Sequence, residues 1–273
     1  MKLMYFTSLR RDGILIPVTP IARRPTSRHP IQSRQTIPLD HSPANRNNVS
    51  QRPPPPILAQ AITRSQHAQT QLLKPNARLA AAEANCQTQN IPAIAIAPSQ
   101  GQHLALLCQL LGARHVLEIG TLGGYSTIWL AESVPGIHVT SIEFSAKHRD
   151  VALENTKGMG NVEIRLGAAE EVMGELGREG RGFDFVFVDA NWDQQALYFD
   201  LAVGLTRKGG VVYVDNVVRN LLDIAEEGDE ADWSLVEFVR GDERVTATLI
   251  PTVSTHKVDV GALVDGFVLA RVK

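Results

Sequence analysis

Cysteine is nearly absent: Cys86 and Cys108 are the only two in 273 residues. Two thiols cannot build a disulfide-dense secreted scaffold or a four-thiolate zinc site, and they suit a reducing compartment. Long apolar runs are missing as well. None approaches the roughly 18 uncharged residues that a membrane-crossing helix needs, so no membrane partner is expected. Aromatic residues make up only 5%, and the net charge is only −2. That small charge hides an asymmetry. Residues 1–56 hold nine Lys and Arg against Asp12 and Asp40, a net of +7, so the other 217 residues carry −9. A body this acidic lacks the clustered cations that phosphate binding requires, and nucleic acid is not an expected partner.

Proline is scarce after residue 56, where five of the 15 lie, and abundant before it. The first 56 residues end in the run Pro53 to Pro56 and sustain no helical or strand period. They read as a disordered basic tail ahead of one domain at 57–273. Their arginines, serines and shortage of acids also suit an organelle transit peptide, although the prolines interrupt any amphipathic stretch. A cytoplasmic location is the expectation, with the transit peptide as its alternative. The apolar stretch from Gly13 to Val18 is too short for a secretory signal core.

From Ile57 the pattern changes to two helical pieces separated near Pro75, an N-terminal helical cover. Ser99 is placed to cap a further helix through Leu104, Leu107, Cys108 and Leu111, which Gly112 ends. Short β-branched runs then alternate with helical stretches. Strands are expected at His115 to Ile119, His138 to Ile142, Val162 to Leu166, Phe183 to Val188, Val211 to Val214, Val245 to Ile250 and Gly266 to Val272. The continuous apolar runs at Phe183 to Val188 and Val211 to Val214 suit strands buried on both faces. The pattern implies a doubly wound α/β domain whose ligands sit at the carboxyl ends of the strands.

Four of these strand ends carry candidate chemistry. After the first, Gly120-Thr121-Leu122-Gly123-Gly124 is a glycine turn between strand and helix, which lets a ligand approach the backbone. Leu122 stands where a dinucleotide fingerprint needs glycine, and Glu118 would repel a pyrophosphate. The carboxylate suits a cationic cofactor instead, and a turn that merely packs helix on strand is the alternative. At the second, Glu143 lies where an acid accepts hydrogen bonds from ribose hydroxyls. At the fourth and fifth, Asp189 and Asp215-Asn216 follow apolar runs, and two carboxylates with an amide oxygen are hard ligands for Mg²⁺ or a similar divalent cation. The alternative is a helix cap with solvated loop residues.

Together Leu117 to Ser126, Phe183 to Ala190, Leu205 to Gly210, Val214 to Val217 and Asp265-Gly266-Phe267 resemble the cation-dependent O-methyltransferases of the caffeoyl-CoA and catechol type, over roughly Ala97 to Lys273. The resemblance implies a Rossmann-like class I methyltransferase with a mostly parallel seven-stranded sheet, binding S-adenosylmethionine and forming a homodimer. It implies that Glu118, Gly120 and Ser126 line the cofactor site, that Glu143 holds the ribose, and that Ala169 lies beside the adenine. Ile96 matches a position near the cofactor. Asp189 would touch both cofactor and cation, as the catalytic residue, and Asp189, Asp215 and Asn216 match the metal ligands. The implied substrate is a small-molecule aromatic diol.

One position departs from the family pattern: Trp192 stands where a lysine is usual. Asp193 as a helix N-cap, with Leu197 meeting Trp192 in a hydrophobic staple, would account for the tryptophan by packing, as would stacking on substrate. The rival readings are a metal-independent methyltransferase and a pseudoenzyme that only binds cofactor. His256 and Lys257 are expected in a polar loop, Glu226 to Asp232 in a solvated acidic loop, and both cysteines as buried apolar residues.

Overall fold

Where the expected helical cover begins, the computed structural model places α1 (Pro56–Leu72) and α2 (Ala77–Thr88), split around Pro75. The structure describes residues 56–221, 235–253 and 264–273. The tail reading over 1–56 lies outside the described residues except at Pro56, which opens α1, and the acidic loop at Glu226 to Asp232, with His256 and Lys257, lies outside them. Asn76 starts α2, its side-chain oxygen accepting from the backbone N–H of Arg78 and Leu79.

The next helix, α3 (Pro98–Leu111), corrects the expected cap. It begins at Pro98 with Ala97 as N-cap and no side-chain cap bond, so Ser99 lies inside the helix. Proline has no N–H to satisfy and its φ is already helical, which makes it a good first residue without a capping hydroxyl. Gly112 ends the helix as expected, at φ 58°.

Strands and helices then alternate as β1 (His115–Ile119), α4 (Tyr125–Ala131), β2 (His138–Glu143), α5 (Ala146–Asn155), β3 (Val162–Leu166), α6 (Ala169–Arg178) and β4 (Phe183–Val188). A 3₁₀ turn (Trp192–Gln194) leads into α7 (Gln195–Leu205), β5 (Thr206–Val214), α8 (Leu235–Arg240), β6 (Val245–Val253) and β7 (Val264–Val272). The seven strands lie in the order β3-β2-β1-β4-β5-β7-β6.

The expectation of a mostly parallel sheet is met only in part. The run β3-β2-β1-β4-β5 is parallel throughout, whereas β7 is antiparallel to both β5 and β6. Ten residues separate β6 from β7, too few for the crossover that a parallel pair requires.

Alternate side chains of each central strand face different helices. Val116, Phe185, Phe187 and Tyr213 pack with Leu104 and Cys108 of α3 and Leu130 of α4. Leu117, Ile119, Val186, Val188 and Val212 pack with Val172 and Met173 of α6 and Phe199 of α7. Each such side chain contributes roughly 1.5–3 kcal/mol of hydrophobic stabilisation.

Asp184 interrupts the apolar run of β4 for a structural reason. Its carboxylate accepts the backbone N–H of Arg114 and His115 and pairs with Arg207, tying the start of β1 to its neighbours. Burial alone would raise its pKa, but these donors together hold it below the ordinary value. With β1 between β2 and β4, the strand order reverses there, and a crevice opens at the carboxyl ends.

Candidate active site

The sheet's hydrogen bonding continues past the strands into the turns that carry the candidate residues. Gly120 N–H donates to Ile142 O, Asp189 N–H to Ile119 O, and Asp215 N–H to Val188 O, at 3.0, 2.9 and 2.9 Å. These bonds set the three turns along one edge. At Gly120, φ is 97° and a Cβ would overlap the Asp189 carbonyl oxygen, so only glycine lets the two chain segments approach this closely.

Leu122 also takes the left-handed conformation, at φ 50°. The backbone there has the shape a glycine would favour, although the residue is leucine. Its N–H donates to Glu143 Oε2 at 2.8 Å, while Ser145 N–H donates to Glu143 Oε1 at 2.8 Å, so one carboxylate staples the turns after β1 and β2 together. His148 Nδ1 lies 3.5 Å from the same Oε1.

A cleft of about 470 Å³ opens above this edge, within the usual range for small-molecule sites. Ile96, Gly120, Ser126, Glu143, Ala169 and Asp189 all line it. Glu118 does not. It stands behind the wall, 0% exposed, with Oε2 accepting from Thr127 and Ser141 hydroxyls, both at 2.5 Å, and Oε1 without a hydrogen-bond partner. Burial pushes its pKa up to about 7, against the pull of the Ser126, Ser141 and Thr127 hydroxyls.

The cleft also includes residues that the sequence reading missed: Ile94, Tyr125, Phe144, His148 and Tyr198. Phe144 and Ile94 remain largely exposed at its rim. The only available signal was an apolar residue directly after the ribose-position acid, and such a residue carries no motif of its own.

A second cavity of about 250 Å³ is lined by Asp215, Asp265, Gln100, His103, Tyr213 and Phe267. Tyr213 and Phe267 stack with centroids 4.1 Å apart, and His103 packs against both rings. Asp215 is buried, and its pKa is pushed up to about 8, first by desolvation and then by the negative charge of Asp189 and Asp265. Asn216 follows at φ 58° and donates from Nδ2 to Asp265 Oδ2 at 2.8 Å.

Among the described residues no three His, Cys, Asp or Glu side chains form a cation cage. The set that fits a hard cation here is two carboxylates and one amide oxygen. Asp189 and Asp215 lie close enough for mutual repulsion, and Asn216, with its nitrogen occupied by Asp265, has Oδ1 left as a ligand.

Trp192 belongs to a different local structure from the one expected. Asn191 caps the 3₁₀ turn by accepting from Asp193 N–H, so Asp193 is not the N-cap, and Leu197 is 44% exposed, which removes the staple. Asn191 competes for the cap because its short amide reaches the N–H two residues on. The Arg219 guanidinium lies 5.9 Å from the centre of the Trp192 ring. Of the cysteines, Cys108 is buried as expected, but Cys86 is only partly so. Its Sγ fills the space where a Cβ on Gly123 would stand.

Known proteins resemble this chain in both sequence and fold. Residues 70–259 match the model of a family described as O-methyltransferase. The O-methyltransferase imqG of Aspergillus flavus is 37% identical over 204 residues, covering 69% of this chain and 80% of that protein. A catechol O-methyltransferase of Mycobacterium tuberculosis is 38% identical over 203 residues, covering 71% and 88%. Among solved structures, an O-methyltransferase from Bacillus cereus in complex with SAH superimposes with a TM-score of 0.68 at 34% identity, covering 79% of this chain and all of that one. A family match over most of the chain, together with this identity and fold, places the protein in the O-methyltransferase family.

Proposed function

We propose that the protein transfers the methyl group of S-adenosylmethionine to a hydroxyl of a catechol-like or hydroxycinnamoyl small molecule, with a divalent cation held by Asp189, Asp215 and Asn216. The observation that carries this reading is that Asp189 lines the larger cleft while Asp215, close enough to be repelled by it, lines the second cavity. A nucleoside in the first cleft and a flat ring in the second would meet between those two aspartates.

The chain's own residues have distinct tasks in this reading. Glu143, already held by Leu122 and Ser145, keeps lone pairs for ribose hydroxyls. Glu118 lies behind Ser126, and in its ionised form it would favour a cofactor carrying an ammonium and a sulfonium. Tyr213, Phe267 and His103 offer an aromatic wall to the acceptor ring. Alignment of sulfur, methyl and oxygen comes from holding both ligands against one sheet edge. A phenol has a pKa of about 10, and a bound divalent cation supplies the Lewis acidity that lowers it. The names of the catechol O-methyltransferase relatives support the acceptor class, and the SAH complex of the Bacillus cereus protein supports the cofactor.

The test is methyl transfer from labelled S-adenosylmethionine to catechol and to caffeoyl-CoA, with Mg²⁺ or with EDTA. Transfer that EDTA abolishes and Mg²⁺ restores is expected. Transfer indifferent to EDTA would remove the cation from the reading, and SAH binding without transfer to either compound would overturn the acceptor class.

A further inference from the structure

We propose that Asp265 is a positioning residue that holds the Asn216 side chain with its oxygen available to the cation, and that Arg219, resting on Trp192, holds Asp265 in turn. This rests on the reading of Asp189, Asp215 and Asn216 as cation ligands.

Asn216 has two features that need support. Its backbone is in the left-handed region at φ 58°, which asparagine takes more readily than most non-glycine residues but which its neighbours must still hold. Its side chain ends in an amide whose two faces differ chemically, one donating and one accepting. A ligand must present the oxygen, so something must fix the flip.

Asp265 does so by chemistry as well as position. A carboxylate accepts and does not donate, so the contact from Asn216 Nδ2 to Asp265 Oδ2 at 2.8 Å admits only the NH₂ end of the amide. Oδ1 is thereby turned to the other side. Asp265 is itself fixed. Its Oδ1 accepts from Gly266 N–H at 2.8 Å and Arg219 N–H at 3.4 Å, and Arg219 Nε stands 3.8 Å from Oδ2. The residue as a whole is 9% exposed. With both oxygens engaged by donors, Asp265 acts as a holder of a ligand.

This gives Trp192 a role. Arg219 lies between the Trp192 ring, 5.9 Å from its centroid, and the Asp265 carboxylate. Where relatives are expected to carry a lysine, this chain has a flat surface that restrains the arginine beside the carboxylate. The four residues Trp192, Arg219, Asp265 and Asn216 form one chain of contacts ending at the cation ligand.

The experiment is Mn²⁺ binding to the full chain, followed by the EPR signal of free Mn²⁺, for the wild type, Asp265→Ala, Asp265→Asn and Asp215→Ala. Calorimetry with SAH and a melting curve accompany each variant. Residues that orient a metal ligand from behind are typically worth about 10–100-fold in metal affinity, so Asp265→Ala should weaken Mn²⁺ binding by that factor with SAH affinity nearly unchanged. Asp265→Asn keeps the size but has one oxygen to serve both Asn216 and Gly266, so a smaller loss is expected. It also carries the test if the alanine variant fails to fold.

Mn²⁺ binding that Asp215→Ala abolishes and both Asp265 variants leave intact would refute the positioning role alone. Equal loss of Mn²⁺ and SAH affinity in the Asp265 variants would refute it too, by showing a merely structural part. A wild type that binds no Mn²⁺ would bring down the cation reading, and this inference with it.

Discussion

Glu143 closes β2 and Asp215 follows β5; they are 7% and 8% exposed, yet their surroundings differ in kind. Glu143 receives one backbone N–H on each oxygen and has His148 alongside. Asp215 is pressed toward neutrality by burial and by two further aspartates. The first half of the site is organised by its own backbone before any ligand arrives. The second brings three carboxylates together, with Asp215 raised by Asp189 and Asp265 as well as by burial, and on the proposed reading a cation would relieve that repulsion. On the proposed reading, the difference separates the task of binding a nucleoside from that of acidifying an acceptor.

The largest effect that could break this separation comes from the aspartates. Asp215→Ala should reduce methyl transfer by several kcal/mol of barrier, about a thousandfold or more, while SAH affinity by calorimetry stays close to that of the wild type. Asp189→Ala should damage both, because its side chain borders the cofactor cleft and repels Asp215. If Asp215→Ala loses SAH as badly as turnover, the two halves are one unit.

Glu118 sharpens the contrast, since it is the carboxylate in the cofactor half whose Oε1 is left bare. Its folded pKa of about 7 lies above the ordinary 4.5, so across that window the folded protein keeps a proton that the unfolded chain releases. Stability must therefore fall as pH rises from 4.5 to 7 and stay low above it. Glu118→Gln removes the titrating group. In urea unfolding without cofactor, the variant should gain on the wild type between pH 5 and pH 8 by on the order of a few kcal/mol. Parallel profiles would show that Glu118 is ionised and satisfied in the fold.

A smaller effect is expected at the staple. Glu143→Ala should weaken SAH binding by about 1–3 kcal/mol in calorimetry, through lost hydrogen bonds to a charged group and a loosened Leu122 turn. Mn²⁺ affinity should not move. A change in Mn²⁺ affinity of similar size would couple the halves through the sheet edge.

β1, β3 and β4 were legible over their full length: Val162 to Leu166 alternates apolar and charged residues, and β1 and β4 are mostly apolar stretches interrupted by Glu118 and Asp184. Six of the cleft-lining residues were legible through the family resemblance. Ser99 misled because a hydroxyl is a good cap in general, and Pro98 next to it made the cap unnecessary. The left-handed Leu122 was hidden, since a leucine argues against that backbone and the Glu143 contact that holds it lies 21 residues away. Asp265 was visible only as part of a terminal Asp-Gly-Phe match. Its contact with Asn216 depends on β5–β7 pairing, which no local pattern encodes.

That pairing also bears on the order in which the molecule can be put together. Asn216 and Asp265 are 49 positions apart, and β7, last of the seven strands in chain order, sits inside the sheet between β5 and β6. β1 to β5 can pair through crossovers completed as each strand emerges. The β5 edge has no permanent neighbour until β7 has been synthesised and has reached back past β6. Closing that long loop is entropically costly and slow compared with local pairing. A nascent chain can thus own its nucleoside cleft while Asp265, proposed here to steady Asn216, is still unmade.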